Sequence, residues 1–168
     1  MGTEDVITIV SMEFEHLPDI QIIEQRSFAS PWSYSAFLSE LFENDNAFYL
    51  VAQSRDTVVG YVGVWIILDE GHITNIAVDP RYRGRGIGSR LLQAVTAVAQ
   101  TQGVTRMTLE VRVSNIEAQR LYRRLGYEVS GVRKQYYRDN NEDALIMWRD
   151  LTKDAGGETD SRNRNKLR

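Results

Sequence analysis

The sequence predicts an α/β protein with a mixed central sheet of about seven strands, flanked by about four helices. Three observations support this fold class. Segments rich in β-branched and aromatic residues recur along the chain, segments with apolar residues at helical spacing lie between several of them, and clusters of turn-forming residues separate the two kinds. The predicted order of elements is β-α-α-β-β-β-α-β-α-β-β.

The first half of the chain carries four of the predicted strands and two of the helices. Pro18 suits the first turn of the first helix, and Ser33 is the predicted N-cap of the second. The fourth strand ends at Asp79-Pro80, because proline cannot donate a hydrogen bond to a sheet ladder. The strands are predicted over residues 6–12, 48–53, 58–68 and 72–78, and the helices over residues 17–28 and 33–42.

The second half begins with a glycine-rich loop that opens a long third helix, whose apolar residues keep helical spacing until Gly103. Gly126 closes the fourth helix. A strand, a crossover helix and a strand between residues 72 and 111 form a right-handed unit, whose strands are neighbours or parallel partners in the mixed sheet. The fourth helix is predicted over residues 115–125, and the last three strands over residues 106–111, 127–132 and 144–151.

Length and composition predict one folded domain. The chain has 168 residues, of which 42% are hydrophobic and 26% charged, values typical of globular proteins. Residues 153–168 form a polar run that cannot bury enough apolar surface to offset its ordering entropy. We therefore expect a folded domain over residues 1–152 and a disordered tail over residues 153–168.

Composition also excludes several kinds of site and partner. The chain contains no cysteine, which excludes a cysteine nucleophile and a thiolate metal site, and no metal site is predicted. The net charge is −3, so bulk nucleic acid and anionic membranes are not expected as partners. No segment approaches the roughly 20 apolar residues of a membrane span, and the N-terminus lacks a signal-peptide pattern. We expect a cytoplasmic protein.

The strongest local signal is the loop of residues 79–90, where three alternating glycines lie between a predicted strand and a predicted helix. Such a loop turns tightly and brings backbone N–H groups close to an anion, while the helix dipole adds partial positive charge. The pattern differs from a Walker A loop and from the dinucleotide fingerprint. It predicts a pyrophosphate cradle, the alternatives being a flexible loop or an arginine patch that touches nucleic acid. The cradle residues are Arg83, Gly84, Arg85, Gly86, Ile87, Gly88 and Ser89.

The pattern around this loop resembles the GNAT (Gcn5-related N-acetyltransferase) superfamily from Val6 to Leu151. The family signature is Arg/Gln-x-x-Gly-x-Gly/Ala, and here it reads Arg83-x-x-Gly86-x-Gly88. Asn-Ile-Ala-Val-Asp-Pro precedes it at residues 75–80, and Leu-Tyr-x-x-Leu-Gly-Tyr follows at residues 121–127. Within the family the chain is most similar to the RimI-type enzymes, which acetylate the N-terminal amine of a small-subunit ribosomal protein. That similarity lies in Ile23-Glu24-Gln25-Arg26, Pro31-Trp32-Ser33, Leu109-Glu110-Val111-Arg112, and Tyr136-Tyr137 with Glu142-Asp143-Ala144.

This resemblance implies a GNAT fold in which two strands splay apart and leave a V-shaped cleft for acetyl-CoA. Main-chain groups of the Ile76-Ala77-Val78 segment would meet the pantetheine arm and the thioester carbonyl. The cradle would hold the pyrophosphate, and Asn115 would contact the cofactor nearby. The side chains of Ile76 and Val78 also suit ordinary core packing, which is compatible with a main-chain role.

Two residues are candidates for proton transfer. Strand alternation places Glu110 on the face opposite Met107, Leu109 and Val111, so it is either a solvated residue or a carboxylate facing a cleft. A carboxylate in a cleft can take a proton from an ammonium nucleophile, directly or through water, and the resemblance favours that role. Tyr122 completes an apolar helical stripe and suits a core aromatic. Its family position implies a hydroxyl that protonates the leaving thiolate.

Aromatic residues are the candidates for substrate contact. Trp32 lies in a loop that forms the substrate mouth in the family, and Tyr136-Tyr137 either pack at a strand end or clamp a peptide N-terminus. Trp65 and Trp148 lie in strand patterns and are predicted to be core residues. The two histidines, His16 and His72, show no ligand-like spacing to a carboxylate and are interpreted as structural or exposed.

These features together predict an acetyl-CoA-dependent Nα-acetyltransferase of a protein N-terminus, a ribosomal protein by resemblance. Direct transfer within a ternary complex is expected, because the chain has no cysteine to carry an acyl group. Two alternatives remain open. One is an enzyme of the same family that acetylates a small amine such as an antibiotic or a polyamine, and the other is a non-catalytic module that binds acetyl-CoA or uses its arginine patch.

Overall fold

A computed structural model describes residues 5–153, and its elements follow the predicted order. The part of the tail predicted from residue 154 onward lies outside the described residues. No helix among those residues is long and apolar enough to cross a membrane. The strands are β1 (Ile7–Ser11), β2 (Ala47–Ser54), β3 (Thr57–Ile67), β4 (Glu70–Val78), β5 (Arg106–Arg112), β6 (Glu128–Tyr137) and β7 (Glu142–Asp150). The helices are α1 (Leu17–Ser27), α2 (Tyr34–Phe42), α3 (Ile87–Thr101) and α4 (Ile116–Arg124).

The seven strands form one mixed sheet in the order β1-β2-β3-β4-β5-β7-β6. Every neighbouring pair is antiparallel except β4 and β5, which are parallel and joined by α3. The predicted parallel crossover unit and mixed sheet are therefore confirmed.

The parallel pair separates after three rungs. Glu70, Gly71 and His72 of β4 lie opposite residues 106–108 of β5, and no pairing continues beyond them although both strands do. On its other side β4 carries a bulge at Thr74, because Ile73 lies opposite Val64 while Asn75 lies opposite Gly63. A bulge bends its strand, and the pairing of β4 with β5 ends just before this one, so the predicted V-shaped opening in the sheet is confirmed.

Two clusters of buried side chains cover the sheet. The larger lies under α3, whose residues Leu91, Leu92, Val95 and Ala99 recur at helical spacing and are fully buried. The smaller lies under α1 and α2. On β5, Met107, Leu109 and Val111 belong to the larger cluster, so strand alternation turns Thr108 and Glu110 toward the other face of the sheet. The predicted orientation of Glu110 is confirmed.

The hairpin of β6 and β7 is longer than the hydrophobic pattern of the sequence predicts. Strand β6 continues through Arg133-Lys134-Gln135 to Tyr137, whereas the pattern predicts its end at Val132. It is an edge strand and is exposed along most of its length, so charged residues replace the apolar alternation on which a strand prediction depends. Tyr136 and Tyr137 are therefore strand residues.

Candidate functional site

Two clefts open on the described part of the molecule, and we name them by their walls. The loop cleft, about 810 Å³, lies between the end of β4, the glycine loop and α4. The α2 cleft, about 560 Å³, lies between α2, β3, β4 and the start of the splay. The loop cleft brings together most of the residues predicted to hold a cofactor, which are Ile76, Ala77, Val78, Arg83, Gly84, Gly86, Ile87, Gly88, Ser89 and Asn115. Arg85 is outside this lining, with its guanidinium 4.8 Å from the centroid of the Tyr82 ring.

The glycine loop has the backbone conformation of an anion site. Gly84 and Gly86 both have φ of +76°, a region that side chains with a Cβ rarely adopt, and neither has another atom within 4 Å of where a Cβ would lie. Helix α3 begins at Ile87, so the first N–H groups of its N-terminus have no acceptor within the helix. These N–H groups and the helix dipole together favour a phosphate at this position.

Arginine side chains tie this loop to its surroundings. Arg83 donates from Nε to the carbonyl oxygen of Val78 at 3.1 Å. Asp79, which is buried, accepts hydrogen bonds from Arg26 and Arg81. The hydrogen bond from Arg81 lowers the pKa of Asp79 against the opposing effect of its burial, so the carboxylate is held ionised. The Asp79 network therefore anchors the end of β4, from which the loop starts.

Tyr122 fits both of the roles open from the sequence. It is only 7% exposed and packs in the larger core cluster, with its ring 6.0 Å from that of Tyr127. It also lines the loop cleft. Burial raises the pKa of its hydroxyl, so the group stays protonated at neutral pH and can donate a proton. Asn115 caps α4, accepting from the N–H of Ala118 at 3.2 Å, and lines the same cleft.

The α2 cleft is mostly aromatic and acidic. Trp65 was predicted to be a core residue, and that prediction is wrong: it is half-buried, lines the cleft and donates from Nε1 to Glu40 at 2.9 Å. Trp148 is likewise half-buried rather than core. The residues that line this cleft are Trp32, Ala36, Ser39, Glu40, Trp65, His72, Thr74, Glu110 and Tyr136.

Glu110 lies in the α2 cleft between His72 and Arg133. Its Oε2 is 2.6 Å from Nε2 of His72, and its Oε1 is 3.3 Å from Nε of Arg133. Burial alone would raise the pKa of this carboxyl. The hydrogen bond with His72 and the charge of Arg133 outweigh burial and hold the pKa below its ordinary value. His72, interpreted from the sequence as structural or exposed, therefore has a carboxylate partner that its spacing in the sequence did not indicate.

The two adjacent tyrosines have different surroundings. Tyr136 is exposed and lines the α2 cleft. Tyr137 is outside the lining of both clefts and packs under Arg112, while its ring meets that of Tyr136 edge to face at 5.1 Å. Tyr137 is therefore the packing residue of the pair, and Tyr136 is the residue that lines the cleft.

Glu24 supports the loop that carries Trp32, a role that the sequence did not indicate. It lies on α1, is 1% exposed, and accepts from the backbone N–H of Trp32 at 2.9 Å. Its second oxygen is buried and has no hydrogen-bond partner among residues 5–153. Burial raises the pKa of this carboxyl to about 7. The sequence signal that could have indicated this role was a glutamate at a position where helical spacing predicts a buried residue. Glu24 holds the loop that carries Trp32 against α1.

The sequence is similar to those of N-terminal acetyltransferases. The profile of the acetyltransferase (GNAT) family matches residues 16–127. The chain is 39% identical over 142 residues to the ribosomal protein bS18-alanine N-acetyltransferase of Escherichia coli (strain K12), which covers 83% of this chain and 95% of that protein. It is 45% identical over 138 residues to a protein of Bacillus subtilis (strain 168) that is provisionally given the same name, covering 82% of this chain and 91% of the other.

The fold matches those of solved structures. The crystal structure of the ribosomal-protein-S18-alanine N-acetyltransferase from Escherichia coli superposes with a TM-score of 0.80 at 35% identity, covering 87% of this chain and 94% of that one. Arabidopsis thaliana NAA60 in complex with acetyl-CoA superposes with a TM-score of 0.80 at 18% identity, covering 88% and 99%. At that identity the likeness shows a common fold.

Proposed function

Because the chain belongs to the acetyltransferase (GNAT) family, we propose that it acetylates the N-terminal amine of a protein with acetyl-CoA, and that its substrate is the N-terminal alanine of ribosomal protein bS18. The observation that carries the proposal is the pair of clefts at one splay of the sheet, the loop cleft with an anion cradle and the α2 cleft with acidic and aromatic walls. The relatives with this named activity support the choice of substrate.

The loop cleft suits acetyl-CoA. Its positive-φ glycines leave open space beside the start of α3, where the pyrophosphate would lie on backbone N–H groups. Beyond the third rung of the parallel pair, the edge of β4 has main-chain groups that β5 does not pair, and Ile76 and Val78 belong to that segment. The bound cofactor would supply an activated acetyl thioester there.

The α2 cleft suits a cationic peptide end. Glu40 and Glu110 supply two carboxylates, which favour the ammonium of a chain terminus over a neutral or anionic group. Trp32, Trp65 and Tyr136 supply flat apolar walls for the first side chains of an extended peptide.

In the proposed reaction the two clefts contribute different groups. Glu110 takes part in removing the proton of the acceptor ammonium, directly or through an intermediary, so that a neutral amine attacks. Tyr122 donates a proton to the leaving sulfur. Much of the acceleration comes from holding the amine and the acetyl carbon together, because orientation removes the entropy cost of a bimolecular step.

A panel of acceptors tests this function. The protein is incubated with acetyl-CoA and with equal concentrations of an alanine-initiated peptide matching the bS18 N-terminus, the same peptide with a blocked N-terminus and an internal lysine, and a polyamine. Mass spectrometry then identifies the acetylated nitrogen. We expect the free alanine amine to have the highest kcat/KM. A higher value for the polyamine would instead identify a small-molecule acetyltransferase, and bound cofactor without any turnover would identify a binding module.

A further inference from the structure

The contact between His72 and Glu110 lies where the two parallel strands part. His72 opposite Thr108 is the last rung of the β4–β5 ladder. Glu110 is two residues further along β5, so it lies on the same face as His72 and diagonal to it. This arrangement places the 2.6 Å contact between Nε2 and Oε2 at the apex of the splay.

Other charged and titratable groups that contact this pair or line its cleft come from β6 and α2. Arg133 of β6 contacts the second oxygen of Glu110, Tyr136 of β6 lines the same cleft, and Glu40 of α2 lies on the opposite wall. On the side of β3 the imidazole meets Trp65, which carries no charge, with ring centroids 6.3 Å apart. One pleat away on the same face, Glu70 and Arg106 form an ion pair with each other.

The imidazole is the more accessible member of the pair. The side chain of His72 is 34% exposed, whereas that of Glu110 is 9% exposed and has both oxygens engaged. When Nε2–H donates to Glu110, Nδ1 is an unprotonated acceptor. Among residues 5–153, the hydrogen bonds found for His72 use Nε2 alone. His72 lines the α2 cleft, so an amine that enters the cleft lies beside a ring whose Nδ1 has a free lone pair in that tautomer.

We propose that His72 Nδ1 takes the proton of the acceptor ammonium, and that Glu110 orients the ring and stabilises the imidazolium. This inference rests on the proposed function and identifies the proton acceptor of that reaction. In this arrangement Glu110 fixes the tautomer of His72 through one ring nitrogen, and the other ring nitrogen is left to take the proton. A carboxylate orients a histidine base in the same way in catalytic triads.

The chemistry of the two groups supports this division of labour. A carboxylate whose pKa is held below its ordinary value is a poor acceptor for the proton of a peptide ammonium, whose unperturbed pKa is near 8. Imidazoles as a class titrate much closer to that value, so less free energy is lost in the transfer.

The protons and bonds balance in this scheme. His72 receives one proton from the acceptor ammonium, becomes an imidazolium and later returns that proton to solvent. The neutral nitrogen forms its bond to the acetyl carbonyl carbon as the carbon–sulfur bond breaks. Tyr122 donates its hydroxyl proton to the departing sulfur and is restored by the second proton that the nitrogen loses on becoming an amide.

The test compares pH profiles of kcat/KM for four proteins. His72→Gln keeps a group that can donate to Glu110 but cannot take a proton, Glu110→Gln removes the orienting charge, and a third variant combines both. His16→Gln, the same change at the other histidine in the sequence, is the matched control because His16 lies outside both cleft linings. The profiles are measured on whichever acceptor in the panel has the highest kcat/KM, so a wrong peptide assignment leaves this test intact.

We expect His72→Gln to lose about a hundredfold in kcat/KM at pH 7 and to recover toward wild type above pH 9, where the acceptor amine is already neutral. The double variant should be no slower than the slower single variant, because the two residues act as a unit. His16→Gln should keep the wild-type profile. A His72→Gln protein with the wild-type profile, beside a Glu110→Gln protein that is impaired, would overturn the proposal and make Glu110 the proton acceptor.

Discussion

The guanidinium carbon of Arg112 lies over Tyr137, 3.9 Å from the centroid of its ring. The same guanidinium donates to Asp139 at 2.8 Å and to Glu142 at 3.3 Å. Arg112 ends β5 two residues after Glu110, and Tyr137 ends β6 one residue after Tyr136. One side chain therefore links the strand that carries Glu110 to the hairpin that forms a wall of the α2 cleft.

Loss of this link should weaken acceptor binding. In Arg112→Met the hairpin loses a cation–π contact and two ion pairs, so Tyr136 is held less firmly and KM for the peptide should rise about tenfold. The dissociation constant for acetyl-CoA should stay near wild type. Arg138→Met, at an exposed residue of the same hairpin, is the control. Steady-state kinetics with both substrates and calorimetry with acetyl-CoA would measure this, and an unchanged peptide KM would contradict it.

Gly86→Val should abolish tight cofactor binding while the protein still folds. Valine is strained at φ +76° and would place methyl groups where the backbone must approach a pyrophosphate. Gly103→Val is a matched control, because Gly103 has φ of +86° and equally open surroundings but lies at the far end of α3, outside the loop cleft. Both variants should lose stability, by about 1–2 kcal/mol. Calorimetry should show weakened acetyl-CoA binding for Gly86→Val alone, and equal binding by the two would remove the loop from the site.

The Tyr122→Phe variant distinguishes two roles of Tyr122, that of a catalytic acid and that of an aromatic residue packed in the core. The variant keeps the buried ring and removes the proton donor, so kcat should fall about a hundredfold and high pH should not restore it. Tyr127→Phe is the control, because Tyr127 is a neighbouring buried tyrosine whose hydroxyl has no hydrogen-bond partner in the described part of the chain. Its kcat and melting temperature should stay near wild type. If Tyr122→Phe lowers the melting temperature and spares kcat, Tyr122 is a packing residue only.

Glu24→Gln should become more stable relative to wild type as pH rises. In the folded protein the Glu24 carboxyl stays protonated up to about pH 7, whereas in the unfolded chain it ionises near its ordinary value of 4.5. Between those values the unfolded state releases a proton that the folded state keeps, so wild-type stability from this group falls with rising pH, by at most about 3 kcal/mol. Glutamine stays neutral at every pH, so the variant does not lose this part of its free energy of unfolding.

Urea unfolding of both proteins at pH 5 and pH 8 measures this difference. The free energy of unfolding of Glu24→Gln minus that of wild type should increase between the two pH values, and contributions from other groups cancel in the comparison. A difference that does not change with pH would mean that Glu24 is already ionised in the folded protein.

The sequence contained enough to predict the element order and the side of the sheet on which Glu110 lies, because both depend on local periodicity. The glycine loop was also predictable, because its signal lies within consecutive residues of the sequence. The partnership of His72 with Glu110 was not visible, since the two are 38 residues apart and meet only because β4 and β5 are parallel neighbours. Trp65 looked like a core residue because its strand is apolar on both sides, and the strand alone does not show that α2 leaves a cleft above it.

The two clefts have no lining residue in common within residues 5–153. Changes to the walls of one therefore need not disturb the other, and acceptor preference can diverge while the donor stays the same. For protein engineering, this means that α2 and the β6–β7 hairpin could be exchanged for those of a relative with a different acceptor, with residues 76–89 left intact. Because β4 and β5 separate, the two substrates have separate binding walls, and one wall can be changed without changing the other.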